Sequence, residues 1–216
     1  MSIATDVEMY TGSADTTLVT NFTRYHVKQI SMLAANVAMW RDKMAKSESN
    51  VDFSAAAYDV EDKIIISVFQ ENDDFSDEVG ECRRLSIADA TRVNRNANSI
   101  YAPSKYDPIY YITNAGLIVS PNVKGASKSL VYIPFDTGIL FSEEVTDITN
   151  FPSELDSLLI VSVAISILQE RTNEYLFEQE DAELVQLNDL HIKELLLEQQ
   201  KLMTIAGFAK GEQNAT

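Results

Sequence analysis

Phe151-Pro152-Ser153-Glu154-Leu155-Asp156-Ser157-Leu158-Leu159-Ile160-Val161-Ser162-Val163-Ala164-Ile165-Ser166-Ile167-Leu168 is the stretch that decides how this chain folds. Proline near its start suits the first turn of a helix, where no backbone N–H partner is lost. Apolar residues then follow on almost every side, from Leu155 through Leu168, and such a helix must be enclosed by protein. A bilayer is excluded as the enclosure, because the run from Leu158 to Leu168 falls far short of the ~20 residues that span one. Asp156 and Glu170 flank it, so no membrane span is expected.

Moving outward toward the C-terminus, Glu174, Glu178, Glu180, Asp181 and Glu183 form an acidic cluster. Leu184, Leu187, His191, Leu195 and Leu202 come after it at helical spacing, which predicts an amphipathic helix with one apolar side. Two candidate surfaces emerge. Phe151, Leu155, Leu158, Leu159, Ile165 and Leu168 are assigned to an oligomer or portal interface, and the five acidic residues to a channel wall or solvated surface. Residues 207–216 read as a flexible tail.

Toward the N-terminus, residues 1–15 are small and polar and read as an extended arm. Phe22, His26, Ile30, Leu33, Val37, Trp40 and Met44 recur at steps of three and four, which predicts one long helix from Thr16 to Lys46. His26 on that stripe reads as a structural histidine, because His191 is distant and neither has paired metal-ligand spacing. Residues 16–61 and 136–206 are assigned to a helical body.

Residues 62–135 change character and read as a small β-rich inserted unit. Lys63 to Gln70 is β-branched and aromatic, which favours a strand, and Val79 to Leu85 returns beside it. Ser86 caps a short helix that fades in the Asn94 to Asn98 run. Ile109 to Val119 reads as a hairpin around Asn114 and Gly116, and Leu130 to Phe135 as one more strand. Tyr101, Tyr106, Tyr110, Tyr111 and Tyr132 are assigned to sheet faces, since only Lys105, Lys124 and Lys128 interleave with them, too few for a stacking nucleic-acid platform. The fold class expected is α+β: long N- and C-terminal helices in a bundle, with a small antiparallel β unit of about five strands inserted between them.

The formal charge is −16, with 33 acidic against 17 basic residues. Such a chain does not hold nucleic acid through a basic face, although an acidic wall lets a polyanion slide past. Cys82 is the single cysteine, so neither an internal disulfide nor a cysteine zinc site is available. The N-terminus lacks a basic and apolar leader, and no export is expected. Phosphate loops, nucleophile elbows, zinc helices and calcium loops are missing from the sequence. Neither an enzyme nor a cofactor or metal is expected.

Glu81-Cys82-Arg83-Arg84-Leu85, Ser99-Ile100-Tyr101-Ala102, Asp107-Pro108-Ile109-Tyr110-Tyr111-Ile112, Gly116-Leu117-Ile118-Val119-Ser120-Pro121 and Phe151-Pro152-Ser153-Glu154-Leu155 follow one another in an order that resembles neck proteins of tailed bacteriophages. The apolar helix followed by an acidic one is similar to the C-terminal part of head-to-tail adaptors of short-tailed phages. The resemblance implies a virion structural protein, assembled in the host cytoplasm, that forms a homo-oligomeric ring, commonly of twelve copies, beneath the portal protein. That ring offers a platform to tail or nozzle proteins and surrounds packaged DNA without gripping it. Two other readings stay open: a tail-completion or tube protein of the same virion, and an acidic cytoplasmic module that mimics DNA. On the assembly reading, Ile160→Asp or Ile165→Asp abolishes folding or assembly and Glu180→Gln leaves assembly intact, as gel filtration of the purified variants checks.

Overall fold

The computed structural model describes residues 3–12, 15–53, 57–71, 79–96, 98–122, 128–135, 148, 151–179 and 182–209, with the backbone alone at 4, 71, 79, 178 and 179. In chain order the helices are α1 (Ile3–Thr11), α2 (Thr16–Ala34), α3 (Ala38–Met44), α4 (Ile87–Arg95), α5 (Asp156–Glu174) and α6 (Ala182–Ile205). The strands are β1 (Lys46–Ser49), β2 (Lys63–Glu71), β3 (Val79–Glu81), β4 (Arg83–Arg84), β5 (Ile109–Thr113), β6 (Gly116–Ser120) and β7 (Lys128–Pro134). This mixed α+β chain divides into two units, Met1–Met44 with Phe135–Thr216, and Ala45–Pro134.

The first unit is built around α5. A 3-10 turn at Ser153–Leu155 leads into it, and Leu158, Leu159, Val161, Ser162, Val163, Ala164, Ile165, Ile167 and Leu168 are buried along its length. Five β-branched residues between Ile160 and Ile167 lower its intrinsic helix preference, so burial has to stabilise it. Each large apolar side chain contributes about 1.5–3 kcal/mol when fully enclosed. Helices α1, α2 and α6 all pack against α5 and supply that enclosure.

The N-terminal segment departs from the extended arm expected for residues 1–15. Ile3, Val7 and Thr11 lie one turn apart and are buried, and this stripe packs α1 onto α5. Gly12, at φ 76°, ends the helix, its N–H donating to Glu8 O at 2.8 Å, while the Arg171 guanidinium donates to Thr11 O. Terminal carbonyls that lack a helical partner are thus satisfied.

The single helix expected from Thr16 to Lys46 is two. Asp15 starts α2 by accepting from Thr17 N at 2.6 Å, a bond that lowers the Asp15 pKa. At the other end the Asn36 side chain bonds Met32 O, 3.0 Å away. The Asn36 and Val37 N–H groups close short i to i−3 bonds, so the last turn tightens and the chain breaks. The break carries Trp40 to where its Nε1 donates to Ala206 O at 2.7 Å.

The second unit holds two sheets, ordered β1-β7-β2-β3 and β4-β5-β6. Among the described residues this makes seven strands where about five were expected. The segment expected as one strand from Val79 to Leu85 changes sheet at Cys82: β3 runs antiparallel to β2, Cys82 N donates to Val68 O at 2.7 Å, and β4 then runs parallel to β5. A strand that switches sheets makes a corner between them. Val51, Phe53, Ile65, Val68, Cys82, Tyr110, Leu117, Val119 and Leu130 fill one core. Residues 45–61 belong here too, through β1 on β7 and a bridge from Tyr58 to Leu117.

Ser86 caps α4 by accepting from Asp89 N at 3.1 Å, and the hairpin of β5 and β6 turns at Asn114 and Ala115. Gly116 has φ 120°, and a Cβ there collides with the Tyr58 carbonyl. Gly116→Ala is therefore expected to cost about 1–3 kcal/mol, read as a lower urea midpoint of unfolding. Ile165 is 5% exposed, so Ile165→Asp strands a buried carboxylate and costs about 4–5 kcal/mol. Ile160 is only half-buried, and Ile160→Asp lowers the same midpoint by less.

Candidate functional site

The most connected polar cluster in the helical unit lies where α2, α5 and α6 meet. His26 Nε2 is 2.8 Å from Ser166 Oγ, and the Ser166 hydroxyl also reaches Ser162 O at 3.3 Å. Ser162 Oγ donates to Leu158 O (2.7 Å) and accepts from Gln199 Nε2 on α6 (2.8 Å). One serine pair on α5 thereby ties down a helix on each side. Burial pushes the His26 pKa from 6.5 down to about 4, so at neutral pH the ring is uncharged and the network carries no ion.

A serine beside a neutral histidine has the composition of a nucleophile and base. The backbone argues for another role. Ser166 stands in the middle of α5, where the N–H groups are already committed to carbonyls one turn back. None of them is left to stabilise an oxyanion, usually the largest single catalytic contribution. His26 and Ser166 act as a helix clip, in keeping with the structural histidine expected on the α2 stripe.

In the second unit, Tyr58, Lys63 and Glu48 form another cluster. Tyr58 Oη donates to Glu48 Oε2 at 2.7 Å, and Lys63 donates to Tyr58 Oη and to Glu48 at 3.4 Å. The Lys63 ammonium also lies 4.3 Å from the Tyr58 ring centre and 4.9 Å from that of Tyr132. Burial works against this charge, but the bonds and charges of Tyr58 and Glu48 outweigh it and raise the Lys63 pKa. A lysine held protonated is a staple between β1, β2 and β7 and not a base. Cys82 is inert for a related reason: burial, with the Glu81 charge beside it, pushes its thiol up to about 12.

A groove of about 690 Å³ runs between α1, the end of α5 and the start of α6, with Tyr10, Arg171, Tyr175, Leu187 and His191 among its walls. Among the described residues no three His, Cys, Asp or Glu side chains gather to hold a metal, and no helix is long and apolar enough to cross a membrane.

The residues assigned to an oligomer or portal interface need correcting. Leu155, Leu158, Leu159, Ile165 and Leu168 are between 0% and 5% exposed, and Phe151 is half-buried. Their surface is spent inside one chain, because α1, α2 and α6 already cover α5. Of the acidic set, Glu174 and Glu183 are exposed. The Glu178 side chain, Glu180 and Asp181 lie outside the described residues.

Surfaces that sequence reasoning missed lie elsewhere. On α6, Leu187, Leu190, Leu197 and Ile205 are 60–80% exposed, while Ile192 and Leu195 are buried. Leu187, expected on the apolar side of the helix, is 63% exposed and lines the groove beside α1 and α5. In the second unit Ile100, Tyr101 and Tyr106 are 60–89% exposed, close to Arg83, Arg84, Arg92 and Arg95 in the sequence. Counting charge segment by segment finds the second surface, and an angular plot of α6 finds the first.

The depressed His26 pKa implies a defined pH response. Unfolding lets His26 take up a proton between its folded pKa of about 4 and its unfolded value near 6.5. Its contribution to stability is thus full above pH 6.5 and falls as pH drops toward 4. The expected outcome is a Tm decline across that window that is shallower in His26→Gln, measured by circular dichroism at matched salt. No protein-family model matches this chain, and no curated protein matches its sequence.

Proposed function

We propose that the chain is a non-enzymatic virion structural protein of a tailed bacteriophage. Its role is a head-to-tail adaptor in the neck, docked beneath the portal protein as a ring, commonly of twelve copies. Tail or nozzle proteins attach to the other side, and packaged DNA passes through the channel. In this reading the N- and C-terminal helices form the body of the subunit, and the β unit is an insertion carried by it.

The observation that carries the proposal is the ordered series of motifs from Glu81 to Leu155. These occupy the sheet-switching strand pair β3 and β4, the hairpin β5 and β6, and the turn that starts α5. Charge supports it as well. Residues 1–44 and 135–216 hold twenty acidic and eight basic residues, and a strongly negative wall repels a polyanion without binding it.

Cryo-electron microscopy of purified virions tests the reading. Density fitting this chain as a ring between portal and tail is the expected result. Density at the tail tube instead identifies a tail-completion protein, and a chain missing from virions that captures a nucleic-acid enzyme identifies a DNA mimic. Either of those results overturns the adaptor.

A further inference from the structure

Charge is distributed unevenly along this acidic chain. Between Cys82 and Pro134 seven Lys and Arg residues stand against two acids, Asp89 and Asp107, inside a chain of net charge −16. Both acids are engaged locally: Arg83 grips Asp107 with two bonds, at 2.7 and 3.1 Å, and Asp89 accepts from the Ser86 hydroxyl at 2.7 Å with Arg92 3.9 Å away. Glu81, the acid just before the segment, accepts from Ser67 on β2, in the four-stranded sheet.

The fold brings cations and aromatics to the same end of the three-stranded sheet. Ser120, which pairs with Ile109 at the start of β5, donates to Asn94 Oδ1 at 3.1 Å and so sets the last turn of α4 beside the loop that enters β5. Arg92 and Arg95, both exposed, lie three residues apart on one side of α4, away from buried Ala90. Two successive tight turns, Ser99 N to Asn96 O at 3.0 Å and Ala102 N to Ser99 O at 2.9 Å, carry the chain from α4 to Tyr101. Arg83 reaches Tyr101 O at 3.4 Å, Ser104 and Asp107 exchange two backbone bonds at 3.1 and 3.2 Å, and Lys105 lies over the Tyr106 ring at 4.9 Å. Ile100, Tyr101 and Tyr106 remain 60–89% exposed. Side chains held by such a loop lose little entropy when they dock.

Tyrosines beside cations suit either a nucleic-acid strand or an acidic protein, and the details favour protein. Affinity for a strand grows with the number of phosphates neutralised, yet Arg83 is already spent on Asp107, and the net −16 repels a long polyanion. Ile100, 89% exposed, offers no ring for a base but suits an apolar protein contact. Tyr and Arg are the side chains that carry much of the binding energy between proteins. A second copy is a poor fit along α6, where exposed Lys193 and Lys201 stand among the glutamates. We infer that the face formed by Arg92, Arg95, Ile100, Tyr101, Lys105 and Tyr106 docks an acidic, leucine-bearing segment of a different protein. Carboxylates of that segment meet the three cations, and its apolar side chains cover Ile100 and the two tyrosines. The acidic remainder of the chain opposes such a segment weakly, because salt at 0.1 M screens charges beyond about 10 Å. Nothing in this contact requires the neck location.

Fluorescence anisotropy with a labelled peptide of repeating Glu-Glu-Leu tests the surface. The wild-type chain should bind the peptide and release it as added salt screens the contact. Arg92→Glu with Arg95→Glu should weaken binding by about tenfold or more, and Tyr101→Ala with Tyr106→Ala by about tenfold, each with unchanged circular dichroism. The neutral pair Arg92→Gln with Arg95→Gln introduces no new charge, and its expected severalfold loss keeps the surface testable should the charge reversal fail to fold. A wild-type chain that ignores the peptide, or binding that none of these folded variants weakens, overturns the contact. So does labelled oligo(dT) that binds more tightly than the peptide and is lost in the arginine variants, which identifies a nucleic-acid platform. Self-association of the wild type that the arginine variants lose, seen by sedimentation velocity without peptide binding, also overturns it and identifies a second copy as the occupant.

Discussion

A helix without a polar side imposes one demand, enclosure, and the helical unit meets it with segments from both ends of the chain. α5 is covered by α1 and α2 from the N-terminal side and by α6 from the C-terminal side. The hydroxyls of Ser162 and Ser166 are the exceptions on its apolar surface, and each finds a partner on a neighbouring helix, Gln199 or His26. Buried polar groups that are fully bonded specify which helices meet and in what register, a service that apolar contact alone performs poorly. Enclosure and register therefore come from the same few residues of one helix.

That arrangement removes most of α5 from the surface. The apolar side chains left exposed lie elsewhere, on α6 at Leu187, Leu190 and Leu197 and in the loop before β5 at Ile100, Tyr101 and Tyr106. The β unit has its own core, with Cys82 at the point where one strand changes sheets, and the bonds among Tyr58, Lys63 and Glu48 tie β1 to β2.

Much of this was legible beforehand because it follows from strong local patterns. The apolar run of α5, the Ser86 cap, the hairpin at Asn114 to Gly116 and the β character of residues 63–71 all reflect residue preferences acting over a few positions. What escaped reading depended on contacts distant in sequence. Ile3, Val7 and Thr11 make a helical stripe too short to stand out, and it is stable because α5 lies beneath it. Asn36 looks harmless within a helix until its side chain bonds Met32 O and the helix breaks. The candidate interface was misassigned because apolarity marks burial without saying whether the cover comes from the same chain or from another. The cationic segment was hidden by a whole-chain charge of −16.

The fold depends on α5 being enclosed by its own chain. Native-state hydrogen exchange of the amides between Leu158 and Leu168, followed over a hundredfold or so dilution of the protein, tests it most directly. Self-enclosure predicts strong protection that does not change with protein concentration, because the covering helices dilute along with α5. Protection that collapses on dilution would show instead that neighbouring subunits supply the cover.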